Sequence, residues 1–243
     1  MISAVHLAED ATPLEKYVFK PLPGSSHRWA ISLLENEVAG KRLLDIGAGG
    51  GGMGEALSAA TLGSRGASEL TAVEIDNDAR DAIAPIYNKG VHPSSTSLPD
   101  ASYDVILLLD VLEHMAEPFT YMKEVERLLA PGGVAVISVP NVAHWSVRLS
   151  LFFLGRFEYA SRGILDRTHL QFFTQKRFRS LLSTPSSCRI ETIAASIEPI
   201  ELVLPSLITD NSAFRALSSI RVAVAQALPG LMAYQHLGII RKS

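Results

Sequence analysis

The stretch from Leu43 to Gly52 constrains the fold more than any other part of the chain. Its first four residues, Leu43-Leu44-Asp45-Ile46, form a short and mostly apolar run that predicts a buried strand, and glycines follow at once. Met53 to Ala60 then has a helix-forming composition. Glycine tolerates positive φ and lets a ligand lie against bare backbone, and open α/β sheets bind ligands at this edge. The stretch therefore predicts a strand, a tight turn and a helix that together can hold a ligand.

Strands and helices alternate from this turn to residue 139. Besides the first strand, strands are predicted at 70–76, 103–110 and 134–139, with helices at 77–88 and 118–129. The strand at 103–110 is apolar on both faces, which is typical of a central parallel strand. Residues 89–102 are rich in Pro, Gly and Ser, so a third strand there must be short. The alternation predicts an α/β fold with a doubly wound, mainly parallel sheet.

Composition narrows the functions that the chain can have. The net charge is −3, from 22 basic and 25 acidic residues, so no bulk positive field favours nucleic acid. Cys188 is the only cysteine, which excludes an intramolecular disulfide and a cysteine-rich metal site. Because HExxH and clustered carboxylates are also missing from the sequence, we expect no metal. With no signal peptide and no run of 18 apolar residues, we expect a cytoplasmic protein without a transmembrane segment.

Four stretches, in the same order and spacing, resemble the class I S-adenosylmethionine-dependent methyltransferases. Leu43 to Gly51 resembles their first motif, and the others are 73–76, 102–114 and 128–133. Two further segments, 140–148 and 166–169, resemble a bacterial branch that is similar to the ubiquinone-pathway O-methyltransferases. The resemblance implies S-adenosylmethionine as cofactor and a Rossmann-like sheet of seven strands. Its last strand would be antiparallel and would lie at 231–241.

The resemblance also implies which residues contact the cofactor. Glu74 would accept hydrogen bonds from the ribose hydroxyls, as an acidic residue at the end of the second strand does in dinucleotide-binding βαβ units. Asp45 would orient either the turn or the cofactor ammonium. Members of the methyltransferase family often carry an Asp after the third strand, close to the adenine amino group. Residues 91–95 of this chain contain no acidic residue, so a serine or a backbone carbonyl would have to bind adenine. The other implied contacts with the cofactor are those of Gly47, Gly49 and Gly51 with its methionine part and of Ile75 with its adenine ring. Leu109 and Asp110 would lie at the border of the cofactor site.

Residues 141–173 interrupt the alternation and are predicted to be an inserted, acceptor-side helical cap. The domain would span 25–243, with residues 1–24 as an N-terminal arm or lid, or else as a tail. The segment is rich in aromatic and basic residues. The aromatic residues can line an acceptor pocket or simply pack the core of the insertion, and the basic residues can bind an anionic acceptor or simply face solvent. The candidate acceptor-binding residues are Asn141, His144, Trp145, Arg148, Asp166 and Arg167.

Two histidines are candidates for a general base, because methyl transfer to a hydroxyl requires that its proton be removed. His114 follows the strand that ends at Asp110, where the acceptor should lie, but a structural histidine in that turn is the alternative. His169 lies in a polar cluster with Asp166 and Arg167, where a salt bridge that closes the loop is the alternative. Both histidines remain candidates on the sequence alone.

The function predicted from these features is O-methylation of a small-molecule or glycan-type acceptor by in-line displacement. An N- or C-methyltransferase, a nicotinamide-dependent oxidoreductase and a non-catalytic binding subunit with the same fold remain alternatives. None of the six tyrosines has a lysine four residues later, which counts against a short-chain dehydrogenase. The acceptor's identity is open, and so is the choice between a monomer and a homodimer.

Overall fold

A computed structural model describes residues 19, 21–197 and 212–243. Most of the predicted N-terminal arm, residues 1–24, lies outside the described residues. Within the described ranges, no helix combines the length and the apolar character needed to cross a membrane.

The elements follow the predicted order. Up to the central strand they are α1 (Ser26–Leu34), β1 (Arg42–Ile46), α2 (Gly52–Leu57), α3 (Ala59–Leu62), β2 (Glu69–Val73), α4 (Asn77–Ile83), β3 (Val91–His92) and β4 (Tyr103–Leu109). The remaining elements are α5 (Pro118–Leu128), β5 (Leu129–Pro140), α6 (Trp145–Leu154), α7 (Gln175–Leu182), β6 (Cys188–Ala195), α8 (Ser212–Ala227), α9 (Pro229–Met232) and β7 (Gln235–Lys242). Short 3₁₀ turns lie at Gly63–Arg65 and Leu112–His114.

The strands form one seven-stranded sheet in the order β3-β2-β1-β4-β5-β7-β6. β1 to β5 pair in parallel, whereas β7 runs antiparallel to both β5 and β6. The predicted doubly wound sheet with an antiparallel last strand is therefore confirmed. Strand order reverses between β1 and β4, so the carboxyl ends of these two neighbours flank the crevice where such sheets bind ligands.

Several boundaries differ from the sequence prediction for local reasons. The last strand begins at Gln235 and not at residue 231, because Pro229–Met232 forms a short helix. The helix expected at 53–60 is broken at Ser58, whose hydroxyl accepts a hydrogen bond from the backbone of Thr61 and starts α3. The expected short third strand is confirmed, with two residues.

The core lies on both faces of the sheet, and β4 contributes to both. Ile106 and Leu108 belong to the cluster that contains residues of α5 and α7, whereas Val105 and Leu107 belong to the one that contains residues of α1, α2 and α4. All four side chains are buried. The helices cover the two faces, and the carboxyl edge of the strands remains for the polar groups described next.

Candidate active site

The turn after β1 requires its glycines. Gly47, Gly49 and Gly51 have φ angles of 70°, 51° and 74°, a region that side-chain-bearing residues seldom adopt. A Cβ atom on Gly47 would also lie 2.6 Å from a methyl group of Val111, which follows β4. The positive φ angles and the close packing at Gly47 therefore both require glycine in this turn, at the edge where β1 and β4 end.

Glu74 holds this turn from the end of β2. Its carboxylate accepts hydrogen bonds from the backbone N–H of Gly49 at 2.8 Å and from that of Asp76 at 3.0 Å. The next side chain, Ile75, is 82% exposed although it is large and apolar. A buried acidic group and an exposed apolar group thus stand side by side at this edge of the sheet.

Asp45 points inward from β1. Its carboxylate accepts a 2.6 Å hydrogen bond from the hydroxyl of Tyr87 and another from the backbone N–H of Gly54 in α2. Burial raises its pKa to about 6, and the hydrogen bond from Tyr87 opposes part of that increase. These contacts favour the first of the two roles that the sequence left open, that of orienting the turn.

Asp110 has a strained backbone at the end of β4. Its φ is 58°, which is rare for a residue other than glycine. Ser138 of β5 donates a 2.8 Å hydrogen bond to one carboxylate oxygen, and the amide of Gln235 in β7 donates to the other. Such strain clusters at functional sites, where neighbouring elements hold it in place. Leu109, the half-buried last residue of β4, borders the same position.

The structure brings the two candidate histidines together, although they are far apart in the sequence. Their rings lie 4.8 Å apart at 69°. Nδ1 of His114 lies 3.2 Å from the carbonyl oxygen of Thr168, and Nδ1 of His169 lies 3.0 Å from that of Ile164. His114 is half-buried, whereas His169 is only 8% exposed. His114 is thus the more accessible of the two potential bases.

Glu113 is a polar residue of the site that the sequence prediction missed. It is 1% exposed, and its carboxylate oxygens have no hydrogen-bond partner among the described residues. Burial, together with the nearby charges of Asp110 and Asp166, raises its pKa well above the usual range. The nearest basic atom described is Nε2 of His169, 4.0 Å from Oε1. The sequence signal for Glu113 is an acidic residue beside a histidine, four residues after the end of a buried strand.

The candidate acceptor-binding residues fall into two groups. Asn141 is buried and donates a 2.8 Å hydrogen bond to the carbonyl oxygen of Ala233, so its contacts are internal. His144 is also buried, and burial lowers its pKa to about 4. The buried carboxylate of Asp166 accepts hydrogen bonds from the backbone and hydroxyl of Thr168. These three residues shape the insertion.

The remaining three candidates are exposed. Trp145 and Arg148 are on α6, and Arg167 is in the loop that precedes His169. Arg148 also donates a 2.9 Å hydrogen bond to the carbonyl oxygen of Gly230 in α9. Trp145 and Arg167 are therefore the candidates whose surfaces are most available to an acceptor.

The fold and this carboxyl edge define a class I S-adenosylmethionine-dependent methyltransferase, an enzyme class whose cofactor is S-adenosylmethionine. The chain belongs to the family described as "Methyltransferase domain", which matches residues 23–184.

Its relatives agree with this assignment. The chain is 34% identical over 112 residues to a ubiquinone biosynthesis O-methyltransferase of Ruegeria pomeroyi, and the matched region covers 44% of each chain. It is 26% identical over 186 residues to the enzyme of the same name from Psychrobacter arcticus, covering 68% of this chain and 66% of that one. The matches thus span about half to two thirds of these relatives' lengths.

Solved structures show the same fold. A SAM-dependent methyltransferase from Archaeoglobus fulgidus superposes with a TM-score of 0.56 at 19% identity, covering 90% of this chain and 95% of that one. An S-adenosylmethionine-dependent methyltransferase from Mesorhizobium loti gives 0.55 at 16% identity, covering 90% and 99%.

Proposed function

We propose that the chain transfers a methyl group from S-adenosylmethionine to a hydroxyl oxygen of a small-molecule or glycan-type acceptor. The observation that carries this proposal is that His114, in the turn after β4, lies next to His169 of the insertion, with buried Glu113 close to His169. Methyl transfer from a sulfonium is an in-line displacement, in which the cofactor supplies the electrophile. A hydroxyl acceptor also needs a group that promotes loss of its proton, and imidazole is suited to this near neutral pH.

On the cofactor side, Glu74 would bind the ribose hydroxyls and Ile75 would cover one face of adenine. Gly47, Gly49 and Gly51 would let the methionine part lie against the backbone. The support for this placement is that the glycines have positive φ, the carboxylate is next to the turn, and Ile75 is open to solvent. Asp45 would act indirectly by holding the turn and α2 together.

On the acceptor side, the insertion at residues 141–173 would form the wall of the pocket. Three aromatic rings lie in a chain there: Phe157 is 5.6 Å from Phe172, Tyr159 is 6.2 Å from Phe172, and Phe172 is 6.3 Å from His169. Phe157 and Tyr159 are exposed. Such a row suits an acceptor with a ring or another apolar part next to its hydroxyl.

A product-release assay tests the proposal. Formation of S-adenosylhomocysteine would be followed with phenols, hydroxylated sugars and amines as acceptors. We expect turnover with at least one hydroxylated class, and mass spectrometry should place the methyl group on oxygen. Methylation of nitrogen or carbon alone would refute the choice of atom. Cofactor binding without turnover across all three classes would favour the non-catalytic binding subunit.

A further inference from the structure

Three potential metal ligands converge at the acceptor side of the site. Glu113, His114 and His169 each offer one ligand atom, and these atoms all lie within 4.8 Å of one another. Glu113 and His114 belong to the turn after β4, whereas His169 comes from the insertion. Backbone N–H groups of Leu170 and Gln171 bond the carbonyl oxygen of Glu113 at 2.8 and 2.9 Å, which fixes the two segments against each other. The convergence is therefore a property of the tertiary fold.

The Nδ1 contacts of both histidines match those of metal ligands. In metal sites the second ring nitrogen is usually bonded to a carboxylate or a backbone carbonyl, which sets the tautomer and turns the other nitrogen toward the ion. Here Nδ1 of His114 faces the carbonyl oxygen of Thr168, and Nδ1 of His169 faces that of Ile164. For His169, the remaining nitrogen Nε2 is directed at Glu113, 4.0 Å from its Oε1.

The carboxylate of Glu113 supplies an independent reason for a bound cation. Burying a polar group without a hydrogen bond destabilises a fold, and burying an unpaired charged group destabilises it more. Glu113 is 1% exposed, and neither of its oxygens has a hydrogen-bond partner in the part of the chain that the structure describes. Asp110 and Asp166 add negative charge nearby. A cation at this point would compensate the buried carboxylate and the neighbouring acids together.

Although the sequence alone led us to expect no metal, we propose that Glu113, His114 and His169 bind a divalent metal ion. Two imidazole nitrogens and one carboxylate oxygen form a three-ligand set of the kind used in open, catalytic sites for first-row transition metals. Ligand bonds of about 2.0–2.2 Å would require the three ligand atoms to lie closer together than they do in this structure. The other coordination positions would face the insertion and its aromatic row.

This inference rests on the proposed function and gives the histidines a different part in it. An acceptor hydroxyl bound to the ion would have a lowered pKa, so its proton could pass to water. The oxygen would then attack the methyl carbon of the cofactor as the C–S bond breaks, and the bond electrons would remain on sulfur. The substrate class is therefore an acceptor with a hydroxyl, or two adjacent hydroxyls, that can bind a metal ion.

Metal binding can be measured without any acceptor. The chelator-treated full chain would be titrated with Mn²⁺ and, separately, with Zn²⁺ by calorimetry, and its metal content would be determined after dialysis. We expect one ion per chain. Glu113→Gln and His169→Gln should each weaken binding at least tenfold, because each removes one of three ligands. Glu117→Gln is the matched control, since Glu117 is exposed and its change removes the same charge four residues later.

The outcomes separate the inference from the proposed function. Absence of a stoichiometric site for both ions in the wild-type chain would overturn the inference, as would wild-type affinity in folded Glu113→Gln. If that variant does not fold by circular dichroism, the half-buried His114→Ala decides in the same way. Metal binding without methylation of any hydroxylated acceptor would leave the metal site standing and refute the proposed function. Acceptor methylation unaffected by chelator would refute the metal's part in the reaction.

Discussion

Replacing Glu74 with alanine should separate cofactor binding from folding. The carboxylate is 8% exposed and bonds the backbone N–H groups of Gly49 and Asp76, so it sits between the turn and the end of β2. In the cofactor complex its oxygens would instead, or in addition, accept the ribose hydroxyls. The substitution therefore removes both the anchor of the turn and the acceptor for the ribose.

The expected loss can be estimated from hydrogen-bond energies. A hydrogen bond to a charged group contributes roughly 1.5–3 kcal/mol. Because about 1.4 kcal/mol corresponds to a tenfold change, losing the equivalent of one such bond should raise the Kd for S-adenosylmethionine about 10- to 150-fold. Glu74→Gln should give a smaller increase, since its amide keeps one acceptor oxygen but no charge.

Isothermal calorimetry with S-adenosylmethionine and S-adenosylhomocysteine measures this effect, and circular dichroism checks the fold. Asp78→Asn is the control, because Asp78 is exposed in the first turn of α4 and its change removes a charge close to the same edge. The reasoning would be refuted if folded Glu74→Ala bound the cofactor within twofold of wild type. It would also fail if Asp78→Asn weakened binding as much as Glu74→Ala.

Three further predictions concern the turn, the histidines and the pH dependence of stability. Gly49→Val should abolish cofactor binding while the fold persists, because Gly49 has a φ of 51°. Gly50 has open space around it and no positive φ, so Gly50→Val is the control and should bind the cofactor far more tightly than Gly49→Val in the same calorimetric assay. His114→Ala and His169→Ala should each reduce turnover about 10²- to 10⁴-fold with little change in the Kd of the cofactor, and full turnover in both would exclude a histidine role. Burial lowers the pKa of His236 from 6.5 to about 4. The stability that comes from burying the neutral imidazole is therefore fully present above pH 6.5 and is lost as the pH falls toward 4. The free energy of unfolding should decrease over this range by up to about 3 kcal/mol, at about 1.4 kcal/mol per pKa unit. His236→Leu should flatten that part of the unfolding free energy measured by denaturant titration, and an unchanged slope would contradict the pKa.

Local features of the sequence were sufficient to predict the parallel strands and the glycine turn. The apolar run before the glycines, the acidic residue at the end of the second strand and the doubly apolar strand at 103–110 each reflect neighbours in sequence. They predicted the sheet, the positive φ of the turn and the position of Glu74 because strand and turn geometry follow from residues a few places apart. The boundaries were less accurate where a single side chain intervened, as at Ser58.

The acceptor side depended on contacts between distant segments. Asn141 and His144 look like binding residues in the sequence, but the fold buries them. Glu113 looks like an ordinary polar residue of the turn after a strand, but in the fold it is buried and its backbone carbonyl accepts hydrogen bonds from the loop after His169. By itself the sequence determined the fold class and the position of the glycine turn, whereas the tertiary structure decided which polar groups lose contact with water and which meet. Burial and convergence depend on long-range packing, and residue order encodes that packing only through the complete fold.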